Sequence, residues 1–156
     1  MGARHMARTP EQIVEHVRKM VAGEETHSQF ADLFAEDGVM AYRFPTHWQP
    51  EEIKGREEIR AFFTKVRGAG VRDRIEIQNV EAICRRTDDP DVAVSEIVHR
   101  GWSKVKQDYY TFTAVAIIHL RDGEIVRYDD YMNPLLLAEL LGMPYQASES
   151  VAQSTA

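Results

Sequence analysis

The sequence is short of the residues that staple a fold or announce a chemistry. Cys84 is its single cysteine, which excludes a disulfide framework and a Cys-based zinc site. A lone thiol suits a reducing compartment, so the expected location is the cytoplasm. No apolar run reaches the roughly 18 residues needed to span a membrane. The amino end, MGARHMARTP, lacks the apolar segment of a secretory signal. Positive charge is in the minority, with 19 Lys and Arg against 25 Asp and Glu and a formal net charge of −6. That balance argues against a nucleic-acid or anionic-membrane partner. The histidines are scattered without H-x-x-H or H-E-x-x-H spacing, so no metal site is expected. No G-x-G-x-x-G or P-loop occurs, and therefore no cofactor is expected either.

What remains is an ordinary globular balance, 44% hydrophobic and 28% charged over 156 residues, which fits one domain. MGARH reads as a vector remnant ahead of Met6, the domain as residues 7–145, and the small polar stretch 146–156 as a disordered tail. TPEQIVEHVRKMVAG carries the marks of a helix. Thr9 and Gln12 have capping-box spacing, Pro10 suits the first turn and Gly23 the end. EETHSQFADLFAEDG reads as a shorter helix with Phe30, Leu33 and Phe34 inward, ending at Asp37-Gly38. VMAYRF reads as a strand stopped by Pro45, and THWQPEEIK as a loop. GREEIRAFFTKVRGAG reads as a third helix burying Ile59, Phe62, Phe63 and Val66.

The chain then changes to a period of two. VRDRIEIQNVEAICRR alternates, slips near Asn79-Val80 as a β-bulge would, and resumes. VAVSEIVHRGWSKV, YYTFTAVAIIHL and EIVRYDDYM follow as strands, the last two joined by the hairpin signal Asp122-Gly123. PLLLAELLG closes as a short helix. This order predicts an α+β fold. A curved antiparallel sheet and three helices make a cone enclosing a central pocket, the default ligand site.

Two adjacent acids interrupt the last strand. Alternation sends Asp129 to one face with Arg127, and Asp130 to the other with Val126, Tyr128 and Met132. A two-residue turn at Asp122-Gly123 sets Val115 opposite Asp130 and Ile117 opposite Tyr128. The Arg127 face then carries Ile118, Ala116 and Ala114 and is a candidate oligomer interface. A carboxyl in apolar company resists ionisation, so its pKa rises toward the range of a neutral-pH acid or base. Two readings fit Asp130: chemistry, or a hydrogen bond to a tyrosine or backbone amide at a strand end.

FADLFAEDGV, FP, GREEIRAFF and DGEIVRYDDYMNPL, in that order, resemble the SnoaL-like branch of the nuclear-transport-factor-2-like superfamily. That superfamily includes ketosteroid isomerases, polyketide cyclases and the phenazine-biosynthesis A/B proteins. The resemblance spans about residues 10–144. It implies a cone with a deep apolar pocket and a homodimer formed through the outer sheet face. It also puts the catalytic glutamate of the phenazine proteins at Asp130. Their pocket arginine, histidine and serine fall on Phe30, Phe62 and Val66, which makes this pocket apolar and removes the hold on a carboxylated substrate. The steroid isomerase places its oxyanion-hole tyrosine on the first helix, where this chain has only His16.

The expected ligand is thus a small apolar cyclic or polyketide-like molecule. The candidate catalytic residues are Asp130 with Tyr42 and Tyr128. The candidate binding residues are Phe30, Phe62, Val66, Glu96, Val115 and Met132. Tyr42 and Tyr128 read either as oxyanion donors or as core tyrosines. Glu96, on a stripe with Val92, Val94 and Val98, reads either as a second pocket acid or as the partner of a lysine or arginine. His99 and His47 stand near Trp102 and Trp48 in the sequence. The expected activity is cofactor-free isomerisation, cyclisation or dehydration. The alternative is a non-catalytic binding protein.

Overall fold

Thr9 and Gln12 close a reciprocal capping box at the head of α1 (Pro10–Ala22). Gln12 N donates to Thr9 Oγ1 at 3.2 Å, and Thr9 N donates to Gln12 Oε1 at 2.9 Å. Gly23 ends the helix at φ 79°, a left-handed conformation that favours glycine. The computed structural model describes residues 6–145, and the expectations for residues 1–5 and 146–156 fall outside them. The other elements are α2 (His27–Ala31), β1 (Phe34–Tyr42), β2 (Glu52–Lys54) and α3 (Arg56–Gly68). After a 3₁₀ turn at Val71–Arg74 come β3 (Ile75–Arg86), β4 (Val92–Ser103), β5 (Asp108–Arg121), β6 (Glu124–Asp130) and α4 (Pro134–Leu141). Asn133 caps α4 by accepting from Leu135 N and Leu136 N.

Two segments depart from their expected state. Leu33 and Phe34 do not continue α2. Leu33 O accepts from Ile125 N at 2.8 Å, and Phe34 opens β1 beside Ile125. Tertiary strand pairing overrides local helix preference there. The expected loop before α3 contains β2, which pairs Ile53 with Met40.

The six strands form one sheet in the order β2-β1-β6-β5-β4-β3. Every pair is antiparallel except β1–β6, which is parallel. The helices cover one face. Ile13, Val14 and Val17 of α1 and Ile59 of α3 are buried against Ile97, Ile118 and Ile125 of the sheet. Each such side chain contributes about 1.5–3 kcal/mol of burial. Among the described residues, no helix is long and apolar enough to cross a membrane.

Three register shifts interrupt the sheet, one of them on β1 between Phe34 and Val39, and the two bulges in the other pairs set its phase. The β3–β4 register shifts between Ile77 and Asn79, close to the slip visible in the sequence. The second bulge is in β6. Arg121 pairs with Glu124 and Leu120 with Ile125, but His119 then pairs with Arg127. Val126 is the extra residue, and it moves everything after it by one position. Ala116, not Val115, therefore faces Asp130 across the ladder.

Candidate functional site

The Val126 bulge decides which residues meet inside the cone. Without it, Ile125 would share a face with Arg127. With it, Ile125, Tyr128 and Asp130 all point inward, and Arg127 and Asp129 point out. On β5 the inward set becomes Tyr110, Phe112, Ala114, Ala116 and Ile118. Val115 accordingly lies on the outer face, away from the cavity, and Ile117 with it. Ala116 and Ile118 are in the core, not at an outer interface. Glu96 is also on the outer face, cross-strand from Val115, with Arg85 Nε on its Oε2 at 2.9 Å. It is not a second pocket acid: the valine stripe that it shares is the sheet's outer stripe.

The inward residues enclose a cavity of about 230 Å³. Phe30, Phe62, Val66 and Met132 line it, as do Tyr42, Tyr128 and Asp130. Edge-to-face aromatic pairs shape its wall, with ring centroids of Phe30 and Tyr128 5.7 Å apart and of Phe62 and Phe63 5.4 Å apart. The surroundings are overwhelmingly apolar.

Asp130 ends β6. Its Oδ1 accepts from Met132 N at 3.0 Å, and its backbone oxygen accepts from Arg43 N at 2.9 Å. It keeps some accessible surface, but its open side borders the cavity, and dense packing strips it of most solvation. Among the described residues it has no ion-pair partner. Burial raises its pKa to about 7 from the ordinary 3.8, against a smaller downward pull from the Met132 amide. The ladder places Tyr42 directly beside it, and Met40 beside Tyr128. Burial pushes both phenols well above the usual tyrosine range, and the Asp130 charge adds to the effect. Among the described residues neither hydroxyl has a hydrogen-bond partner. Both are therefore available to a ligand.

His99 also belongs to the site. It lines the cavity on β4, with Phe112 stacked on it at 5.1 Å and its Nδ1 2.9 Å from Tyr110 Oη. Burial first, and the Arg72 charge second, lower its pKa to about 4, so near neutrality it is an uncharged imidazole. Trp102, its neighbour in sequence, is on the opposite face against Tyr109. Only the cross-strand register, His99 to Phe112, signals its place. Trp48 and Gln49 of the supposed loop also line the cavity, and the buried Trp48 Nε1 has no partner among the described residues. His16 does not reach the cavity wall. It binds Glu25 at 2.8 Å. Among the described residues no cluster of His, Cys, Asp and Glu could hold a metal ion.

The cone closed by helices has the nuclear-transport-factor-2-like, ketosteroid-isomerase-like fold, as its likeness to solved structures of that fold shows. The chain belongs within it to the SnoaL-like domain family, whose model matches residues 13–128. It is 29% identical over 119 residues to an uncharacterized PhzA/B-like protein of Pseudomonas aeruginosa, covering 72% of this chain and 77% of the relative. Among solved structures it resembles a Bacillus subtilis protein provisionally named an isomerase, at a TM-score of 0.72 and 20% identity, covering 87% of this chain and 94% of that one. It also resembles a Pseudomonas putida protein provisionally named a polyketide cyclase, at a TM-score of 0.60 and 18% identity, covering 81% and 93%. At these identities the structural likeness speaks for the fold alone.

Proposed function

We propose that the chain binds a small apolar cyclic or polyketide-like molecule in the central cavity and moves a proton on it with Asp130, without a cofactor. The observation that supports this most is a carboxyl without an ion-pair partner among the described residues on the wall of an apolar cavity, where burial pushes its pKa up to about 7. Such a group exchanges protons readily near neutral pH. Asp130 takes the proton from a carbon next to a carbonyl. The C–H electron pair moves into the carbonyl and leaves an enolate, whose oxygen accepts from the Tyr42 or Tyr128 hydroxyl. Return of the proton at another carbon completes an isomerisation. Attack of the enolate on a second carbonyl, whose alkoxide takes the proton back from Asp130, gives a cyclisation, and departure of a β-hydroxyl as water, with that same proton, gives a dehydration. The names of the isomerase-like and cyclase-like relatives agree with this range.

Deuterium uptake at the α-carbon of 2-tetralone, followed by proton NMR, tests the reading without knowledge of the substrate. The protein accelerates the exchange, and Asp130→Asn lowers it by about 10²–10⁴-fold. An Asp130→Asn variant with undiminished exchange would overturn the acid–base role.

One observation favours a second, non-catalytic reading. The hydrogen bond from Met132 N to Asp130 gives the carboxyl a structural task at the end of β6. On that reading, the ketone binds but its α-protons do not exchange.

The outer sheet face carries Val92, Val94, Val98, Val115 and Ile117, with Ile83 44% exposed beside them. We assign this apolar stripe to a homodimer contact. The lone Cys84 thiol fits a cytoplasmic setting.

A further inference from the structure

Three cavities lie in series between the surface and Asp130. The central one shares Met20, Val21, His99, Leu137 and Leu141 with a second cavity of about 200 Å³. The second shares Val21, His27, Arg72, Ile75 and Ile77 with an open surface bowl of about 400 Å³. Arg72 lines both the second cavity and the bowl, and so stands at the neck between them.

Arg72 has no acidic partner among the described residues, where most arginines do: Arg18, Arg56, Arg60, Arg85, Arg86, Arg100, Arg121 and Arg127 each meet a carboxylate. Its guanidinium is partly buried and caps α1, donating to Met20 O at 3.3 Å and to Val21 O. Those bonds occupy two of its five N–H groups. The acids of the bowl do not neutralise it. Glu25 is held by His16 at 2.8 Å, and Asp73, at the 3₁₀ turn, forms no ion pair with Arg72. Arg67 adds a second cation to the bowl, and His27 lines it. A desolvated cation with no counter-charge is costly to keep. Burial lowers the Arg72 pKa, and its charge also disfavours the charged forms of His27 and His99.

We propose that Arg72 anchors a carboxylate on the ligand, whose apolar, carbonyl-bearing body extends past His99 into the central cavity toward Asp130. The ligand class is then an apolar cyclic carboxylic acid. The inference rests on the reading of the central cavity as the binding site. The guanidinium fork matches a carboxylate in two parallel hydrogen bonds. Phe30, Phe62 and Val66 leave the inner wall without a charge to hold an acid, and Arg72 supplies that hold at the neck instead.

Isothermal titration calorimetry with naphthalene-2-carboxylate and naphthalene-2-carboxamide at pH 7 and fixed salt tests this on the full chain. The wild type binds the acid about ten- to a hundred-fold more tightly than the amide. Arg72→Gln, which keeps a donor for the α1 carbonyls, loses that preference and leaves amide affinity within about threefold. Arg72→Lys, a point charge without the fork, retains part of it. Equal affinity for the two probes in the wild type overturns the inference, as does a preference that survives in Arg72→Gln. If Arg72→Gln does not fold by circular dichroism, the wild-type ratio and Arg72→Lys decide. Amide binding without acid preference defeats the anion anchor alone. Binding of neither probe defeats the anchor and the cavity reading together.

Discussion

Tyr42 is the direct neighbour of Asp130 in the parallel β1–β6 ladder. In a parallel pair, adjacent residues project to the same side of the sheet. The relationship therefore sets a phenol beside a carboxyl on the cavity wall. It is also the closest analogue here of an acid next to a hydrogen-bond donor.

Tyr42→Phe tests whether that phenol acts on the substrate. Its hydroxyl makes no internal hydrogen bond, so its removal shifts stability by less than about 0.5 kcal/mol. If it steadies the enolate, α-proton exchange of 2-tetralone falls about 10²–10³-fold, the usual loss for one oxyanion donor. Tyr128→Phe has the smaller effect, because its ring is embedded against Phe30 and Phe34 deeper in the core. Exchange rates and thermal melts of the two variants check this, and a larger loss in Tyr128→Phe reverses the assignment.

Asp130 also sets a pH dependence of stability. Its folded pKa of about 7 stands above the unfolded 3.8. Below 3.8 the carboxyl is protonated in both states, and its contribution is fully present. As pH rises toward 7 the unfolded chain sheds the proton first, so the folded state loses ground. Above about 7 the protein carries a buried anion. The gap corresponds to at most about 4 kcal/mol. Asp130→Asn therefore raises the melting temperature at pH 8 and changes it little at pH 4. Melts across that range check the slope, and equal gains at both pH values contradict the buried-acid assignment.

Much of this arrangement was legible in the residues. Capping at Thr9 and Gln12, the hairpin at Asp122-Gly123 and the Asn79 slip are local signals, and each gave its element. Strand alternation alone was enough to send Asp129 and Asp130 to opposite faces. The Val126 bulge was not legible, because an extra residue in a ladder is a property of two strands. That one residue turned Val115 and the Glu96 stripe outward and brought Ala116 inward. The places of His99 and Arg72 depend on cross-strand register and on a 3₁₀ turn, and neither leaves a periodic trace.

On the outer face Asp129 depends on Arg127, whose Nε donates to its Oδ1 at 2.9 Å, with His119 Nε2 at 3.8 Å on the other oxygen. Asp129 is 8% exposed. Arg127→Met leaves that carboxylate nearly buried with only the histidine nearby, and costs about 2–4 kcal/mol. Arg127→Met with Asp129→Leu recovers most of the loss, because it removes the orphaned charge as well. Urea denaturation of the single and double variants measures the coupling. Additive losses in the pair argue that each side chain acts alone.

Gly101 faces the start of β3 at the bulge, paired with Ile77. A Cβ there would lie 1.9 Å from Glu76 O and 2.9 Å from Glu76 C. Both are backbone atoms of the partner strand, so a side chain swing cannot relieve the contact. Gly101→Ala must therefore push β3 away from β4 next to the 3₁₀ turn that carries Arg72. The expected cost is above about 3 kcal/mol, at the severe end for a single methyl group. The damage should be directional. Hydrogen exchange of the β3 amides near Ile75 and Ile77 accelerates first, while β5 and β6 around Asp130 stay protected. A variant with wild-type protection at Ile77 would show that the ladder yields without separating. Loss of protection that begins in β6 would place the weak point of the sheet at the Val126 bulge.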